Sequence, residues 1–136
     1  MAKLPDAVFT LLNDRAASKI LGTKNSKGDV HLINVDGAGA VDPETIFVGQ
    51  IFMKATSENL EHSKKDGSHA SILVSKGMES YEVRGSVKEH VTTGPMFEKM
   101  KETFKAMKFD LKGLWLLKVE EVYNESPAWD SGRKMV

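Results

Sequence analysis

The chain has 136 residues, 40% of them hydrophobic, which is enough for one domain with a real core and too little for two. Its 19 basic and 19 acidic side chains cancel, so no overall field gathers nucleic acid or a membrane surface. With no cysteine there is no disulfide, thiolate metal site or cysteine nucleophile.

No stretch reaches the roughly 18 apolar residues of a membrane span. The start of the chain, MAKLPDAVFTLLNDR, lacks the apolar run of a secretory signal. The expectation is a soluble, cytoplasmic protein with neither nucleic acid nor membrane as a partner.

In chain order, Pro5 suits the first turn of a short helix with Val8, Leu11 and Leu12 on one face, placed to cover a barrel end or edge. Lys19 to Thr23 reads as a strand, and Asn25 to Asp29 as the turn that returns it into the strand Val30 to Val35. Gly37-Ala38-Gly39 and Asp42-Pro43-Glu44 read as a break. The next strand runs from Ile46 to about Met53, IFVGQIFM, and its Gly49 leaves room for another group to approach the backbone.

Lys54-Ala55-Thr56-Ser57 then leads directly into a helix of about ten residues. Thr56 or Ser57 is its N-cap, Leu60 faces the core, and Asp66-Gly67 closes it. Such a junction aims free helical N–H groups back at the strand end, with hydroxyls and a lysine alongside, and a phosphate suits it. Taken alone, the same residues read more readily as an ordinary cap beside a solvated lysine.

His69 to Ser75 is an apolar strand. Its successor, Ser80 to His90, alternates, with Tyr81, Val83, Gly85 and Val87 on one face and Glu82, Arg84, Ser86 and Lys88 on the other. Gly94-Pro95 opens a helix with Met96, Met100, Phe104 and Met107 as a packing stripe. Gly113 to Tyr123, GLWLLKVEEVY, is apolar enough to be central, and residues 126–136 form a polar tail with Trp129. The pattern predicts a mainly β fold, a six-stranded antiparallel split barrel of Greek-key type with a few helices at its joints. Residues 1–125 make its domain and 126–136 a tail.

Chemistry-bearing constellations are sparse. The four histidines lack metal-ligand spacing, so no metal is expected. Glu120 and Glu121 are neighbours on one strand and point to opposite faces. No nucleophile elbow is present, and no side chain declares itself a catalytic acid or base. A nucleic-acid barrel would need a basic groove interleaved with stacking aromatics, and none is apparent.

The order of these pieces, an opening helix, ILGTKNSKGDVHLINV, MKATSENL, YEVRGSV, TGPMFEKM and the apolar last strand, resembles the FMN-binding split-barrel flavoproteins related to pyridoxamine 5'-phosphate oxidase, in particular the small single-domain members. The resemblance runs from about Leu4 to Tyr123. It implies a homodimer with FMN at the interface. Thr56 would contact the phosphate with Asn59 close by, Asn34 and Val35 would follow the ribityl chain and ring, and Ile51, Phe52 and Met53 would lie under the isoalloxazine. Relatives often carry Lys directly before the Thr, where this chain has Ala55. Lys54 lies one residue earlier and, on a continuing strand, would face the other way, leaving Thr56, Ser57 and backbone amides to hold the phosphate. Trp129 either stacks on the partner subunit's flavin or pins the tail to the barrel.

A basic C-terminal substrate site is absent, so pyridoxamine phosphate oxidation itself is not expected. The implied function is that of an FMN-dependent oxidoreductase or electron-transfer protein, flavin reductase-like. The alternative is a split barrel that binds or senses haem or a deazaflavin.

Overall fold

The structure is a computed structural model and describes residues 2–136. Helix α1 (Asp6–Leu12) follows Pro5 and buries Val8, Leu11 and Leu12, the face its periodicity predicts. Strands β1 (Ser18–Lys24) and β2 (Val30–Asn34) form the expected hairpin. Its turn is held by Asn25, whose Oδ1 accepts from the amides of Lys27 and Asp29 at 2.9 and 3.0 Å, the local bond that makes asparagine a turn residue.

A second hairpin joins β3 (Ala38–Asp42) to β4 (Thr45–Gln50). The segment Gly37 to Gly39, expected to be a break, is therefore the entry to a strand. Small residues with low strand preference are recruited there by tertiary contact. The Asn13 side chain, just past α1, receives the Ala40 amide at 2.9 Å and donates to the Ala40 carbonyl at 3.3 Å.

β4 stops at Gln50, three residues short of its expected end; the Gln50 carbonyl accepts from Lys112 at 2.7 Å, and the chain bends directly after it. Phe52, expected in a buried strand, is 87% exposed. Helix α2 (Lys54–Asp66) starts two residues before Thr56, and Met53, not Thr56 or Ser57, is its N-cap. Its C-terminus is as expected, with Gly67 left-handed at φ 78° and donating to Ser63.

β5 (His69–Lys76) and β6 (Glu79–Val91) follow, and β6 alternates buried and half-exposed residues as its sequence predicts. Helix α3 (Pro95–Ala106) buries Phe97 and Phe104, with Met100 and Met107 partly covered, while Met96 of the expected stripe is exposed. β7 (Gly113–Asn124) is central, and the two-residue β8 (Arg133–Lys134) brings the tail back to pair with its end.

The sheet is antiparallel throughout, in the order β2-β1-β5-β6-β7-β4-β3 with β8 beside β7, and it is open at β2 and β3. Among the described residues it has eight strands rather than six, the additions being β3 and β8. Alternation along β7 feeds two cores, which is why the segment reads apolar on both faces. Trp115 and Leu117 join the main core with Leu21, Ile46, Ile72 and Leu60 of α2, whereas Leu114 joins Phe97, Phe104 and Leu111 under α3.

Candidate functional site

A groove of about 510 Å³ opens where the end of β2, the link from β4 to α2 and the end of α3 converge. The size lies within the range of small-molecule and cofactor sites. Asn34, Val35, Ile51, Phe52 and Met53, five residues singled out from the sequence, line it together. Val35 is placed by its amide, which donates to Lys19 at 2.9 Å and carries the β1–β2 ladder one step past the end of β2.

The wall opposite is Phe104, seated against two glycines. A Cβ on Gly37 or Gly49 would lie 2.5 or 2.6 Å from its ring, and the Gly49 amide donates to Gly37 at 2.7 Å. The room that Gly49 leaves is thus filled by a phenyl ring from α3. Arg15, Asp36, Met107 and Phe109 complete the rim. Sequence reading missed Arg15, Asp36 and Phe109 and gave Met107 and Phe104 only a packing role; Arg15 comes from α1's exit and Phe104, Met107 and Phe109 from α3's end, far away in the chain, whereas Asp36 directly follows Val35.

Two non-glycine residues among those described have left-handed backbone, one of them lining the groove and the other lying between two lining residues. Met53 has φ 73° where β4 turns into α2, and Lys108 has φ 66° between Met107 and Phe109. Such conformations cost on the order of 1–3 kcal/mol and persist where surrounding structure imposes them, often at functional sites. At Lys108 the cause is local: the amides of Lys108 and Phe109 satisfy the last carbonyls of α3, of Lys105 and Phe104, at 2.9 Å each, in the manner of a helix ending normally made by glycine.

The start of α2 is uncapped by any side chain and has no acidic residue in its first turn. Its first helical bond is from Ser57 to Met53 at 2.9 Å, so the amides of Lys54, Ala55 and Thr56 precede it. A lysine at the positive end of the helix dipole is unfavourable in isolation and becomes favourable when an anion sits there. Lys54 and Ala55 are both exposed at this end. Because β4 has already ended, Lys54 is oriented by the helix and not by strand alternation.

The remaining candidates lie elsewhere. Thr56 is fully buried against the barrel, and its hydroxyl has no hydrogen-bond partner. Asn59 is buried and donates to Thr23 Oγ1 at 3.1 Å. Ser57 sits in a separate depression, where it accepts from Trp115 Nε1 at 3.4 Å beside His90. His90 stacks on Trp115 at 4.3 Å and shares a 2.6 Å hydrogen bond with Gln50, and burial pushes its pKa down. Trp129, in the turn before β8, is 97% exposed and pins nothing within this chain.

No cluster of three or more metal-ligating His, Asp or Glu side chains occurs among the described residues. No helix among them is long and apolar enough to cross a membrane.

No family model and no curated protein matches the sequence. Solved structures do match in fold. HupZ from Group A Streptococcus has a TM-score of 0.79 at 18% identity, over 98% of this chain and 99% of that one. An FMN-binding protein from Syntrophomonas wolfei has a TM-score of 0.75 at 18% identity, over 89% of this chain and 85% of that one. An F420 reductase has a TM-score of 0.61 at 19% identity, over 88% and 98%. The architecture is the split barrel common to these proteins and to those related to pyridoxamine 5'-phosphate oxidase, as the sequence resemblance implies. At these identities the likeness is one of fold.

Proposed function

We propose that the protein binds FMN in the groove between β2, the β4–α2 link and α3, and that it acts as a homodimeric oxidoreductase or electron carrier. The observation that carries this reading is the convergence of Asn34, Val35, Ile51, Phe52 and Met53 on one groove, with apolar walls and an uncapped helix start at its edge. The groove's size and apolar lining suit a planar ring, and the first-turn amides of α2 with Lys54 suit a phosphate.

In this arrangement Val35, Ile51, Met53 and Phe104 exclude water from one face of the ring, Asn34 offers it a polar edge, and the amides of Lys54 to Thr56 neutralise the phosphate. Bound FMN supplies reversible electron or hydride transfer, which needs no acid or base from the chain. Thr56 enters as the residue whose buried hydroxyl lies behind those amides, not as a direct ligand. The exposed Phe52 and Trp129 give a second subunit apolar surface to cover.

The test is to purify the protein without added cofactor, record its visible spectrum, identify released ligand by mass spectrometry, and titrate FMN. Saturable FMN binding that fails with Met53→Asp is expected, and a protein that refuses FMN overturns the reading. One observation favours a different isoalloxazine-like ligand. The threonine that the resemblance assigns to the phosphate is turned inward, and an F420 reductase is among the fold neighbours. A deazaflavin that outcompetes FMN in the same titration would establish that alternative.

A further inference from the structure

A second lobe, of about 520 Å³, adjoins the groove and shares with it Arg15, Asp36, Gly37, Phe104 and Met107. Its floor is Lys19. This lysine occupies the inward-facing row of β1 with Leu21 and Thr23, and only 4% of its surface is exposed. A lysine there costs stability unless its charge is compensated.

Among the described residues Lys19 Nζ makes no hydrogen bond or ion pair, and neither does Arg15. The nearest carboxylates do not reach it: Asp14 is hydrogen-bonded to Lys76 at 2.6 Å, and both Asp14 and Asp36 act on Lys19 only at longer range. Burial pushes the Lys19 ammonium below its ordinary range, and the charges of Asp14 and Asp36 oppose that push only in part. Two unpaired cations and one carboxylate therefore face a cavity walled by Phe47, Met100 and Phe104.

We propose that this lobe is an anion subsite, in which Lys19 and Arg15 hold the carboxylate or phosphate of a small organic ligand while its apolar body lies along Phe104 and Met100. The ligand is an acidic substrate that extends toward the main groove, or the cofactor's phosphate, which would then lie here and not at the start of α2. The subsite does not require the flavin reading, because its probe is read on protein without cofactor.

The experiment follows backbone amide NMR shifts of Gly37, Ala38 and Thr103 while phenyl phosphate and, separately, benzoate are added. Saturable shifts are expected from at least one probe, weakened more than tenfold by Lys19→Met and severalfold by Arg15→Gln, and reduced by added salt. Lys19→Met replaces an unpaired lysine in the inward row of β1 with an apolar chain of similar length, so a melting temperature equal to or above the parent's is also expected. Repeating the titration with saturating FMN separates the two sources. Displacement of the probe assigns the lobe to the cofactor's phosphate, and joint binding assigns it to an acidic substrate. No saturable shift, equal binding by Lys19→Met, or a lowered melting temperature in that variant would overturn the proposal, the last because it would make Lys19 a structural ion-pair residue.

Discussion

At Gly49 one absent methyl group decides the shape of the groove. The Phe104 ring occupies the space a side chain would need, with the Gly37 carbonyl also 3.1 Å from the would-be Cβ. Overpacking a well-filled site costs about 1–3 kcal/mol. Gly49→Ala is therefore expected to lose stability in that range, read as a lower urea midpoint with an unchanged slope, and to weaken ligand binding because Phe104 is pushed off the wall. An unchanged midpoint would mean that the ring is not seated there in solution.

Among the elements, α2 has a start that works against its own stability. Its core face is sound, with Leu60 fully buried and Asn59 tied to Thr23, but its start has a left-handed methionine, no cap and a lysine in the first position. Exchanging that charge should strengthen the isolated fold and harm an anion site at the same place. Lys54→Glu is expected to stabilise the cofactor-free protein by about 0.3–1 kcal/mol through the helix dipole. The same variant should bind FMN at least tenfold more weakly in a fluorescence titration while binding riboflavin nearly as well. Equal loss for both flavins would place the phosphate somewhere other than the start of α2.

At the scale of the whole molecule, the open sheet leaves β2 as an edge, and its outward residues Val30 and Leu32 are 74% and 66% exposed. An unpaired apolar edge strand favours association unless something covers it. With β2 leading into the groove at Asn34 and Val35, a second subunit on this edge would stand beside the cofactor. Light scattering during size exclusion is expected to report a dimer, and Leu32→Lys to convert it to monomer with the fold retained by circular dichroism. A monomeric parent protein would remove the homodimer from the proposed function.

Periodicity within single elements was legible in the sequence because one face of each element meets a core. The helical face Val8, Leu11 and Leu12, the Asn25 turn, the alternation from Tyr81 to Val87, and the double-sided β7 were all readable for that reason. Five groove residues were legible as well, through the resemblance of their segments to a family whose fold this chain shares. Tertiary structure alone decided the rest. It made a strand of Ala38 to Asp42 by pairing weak strand formers with β4 and Asn13, and it ended β4 at Gln50, where the chain bends toward α2. It also turned Thr56 inward and set Phe104, Arg15 and Lys19 around one opening. The physical reason is the same throughout: local pattern records which side of an element avoids water, whereas which other element arrives to provide that shelter depends on residues distant in the chain.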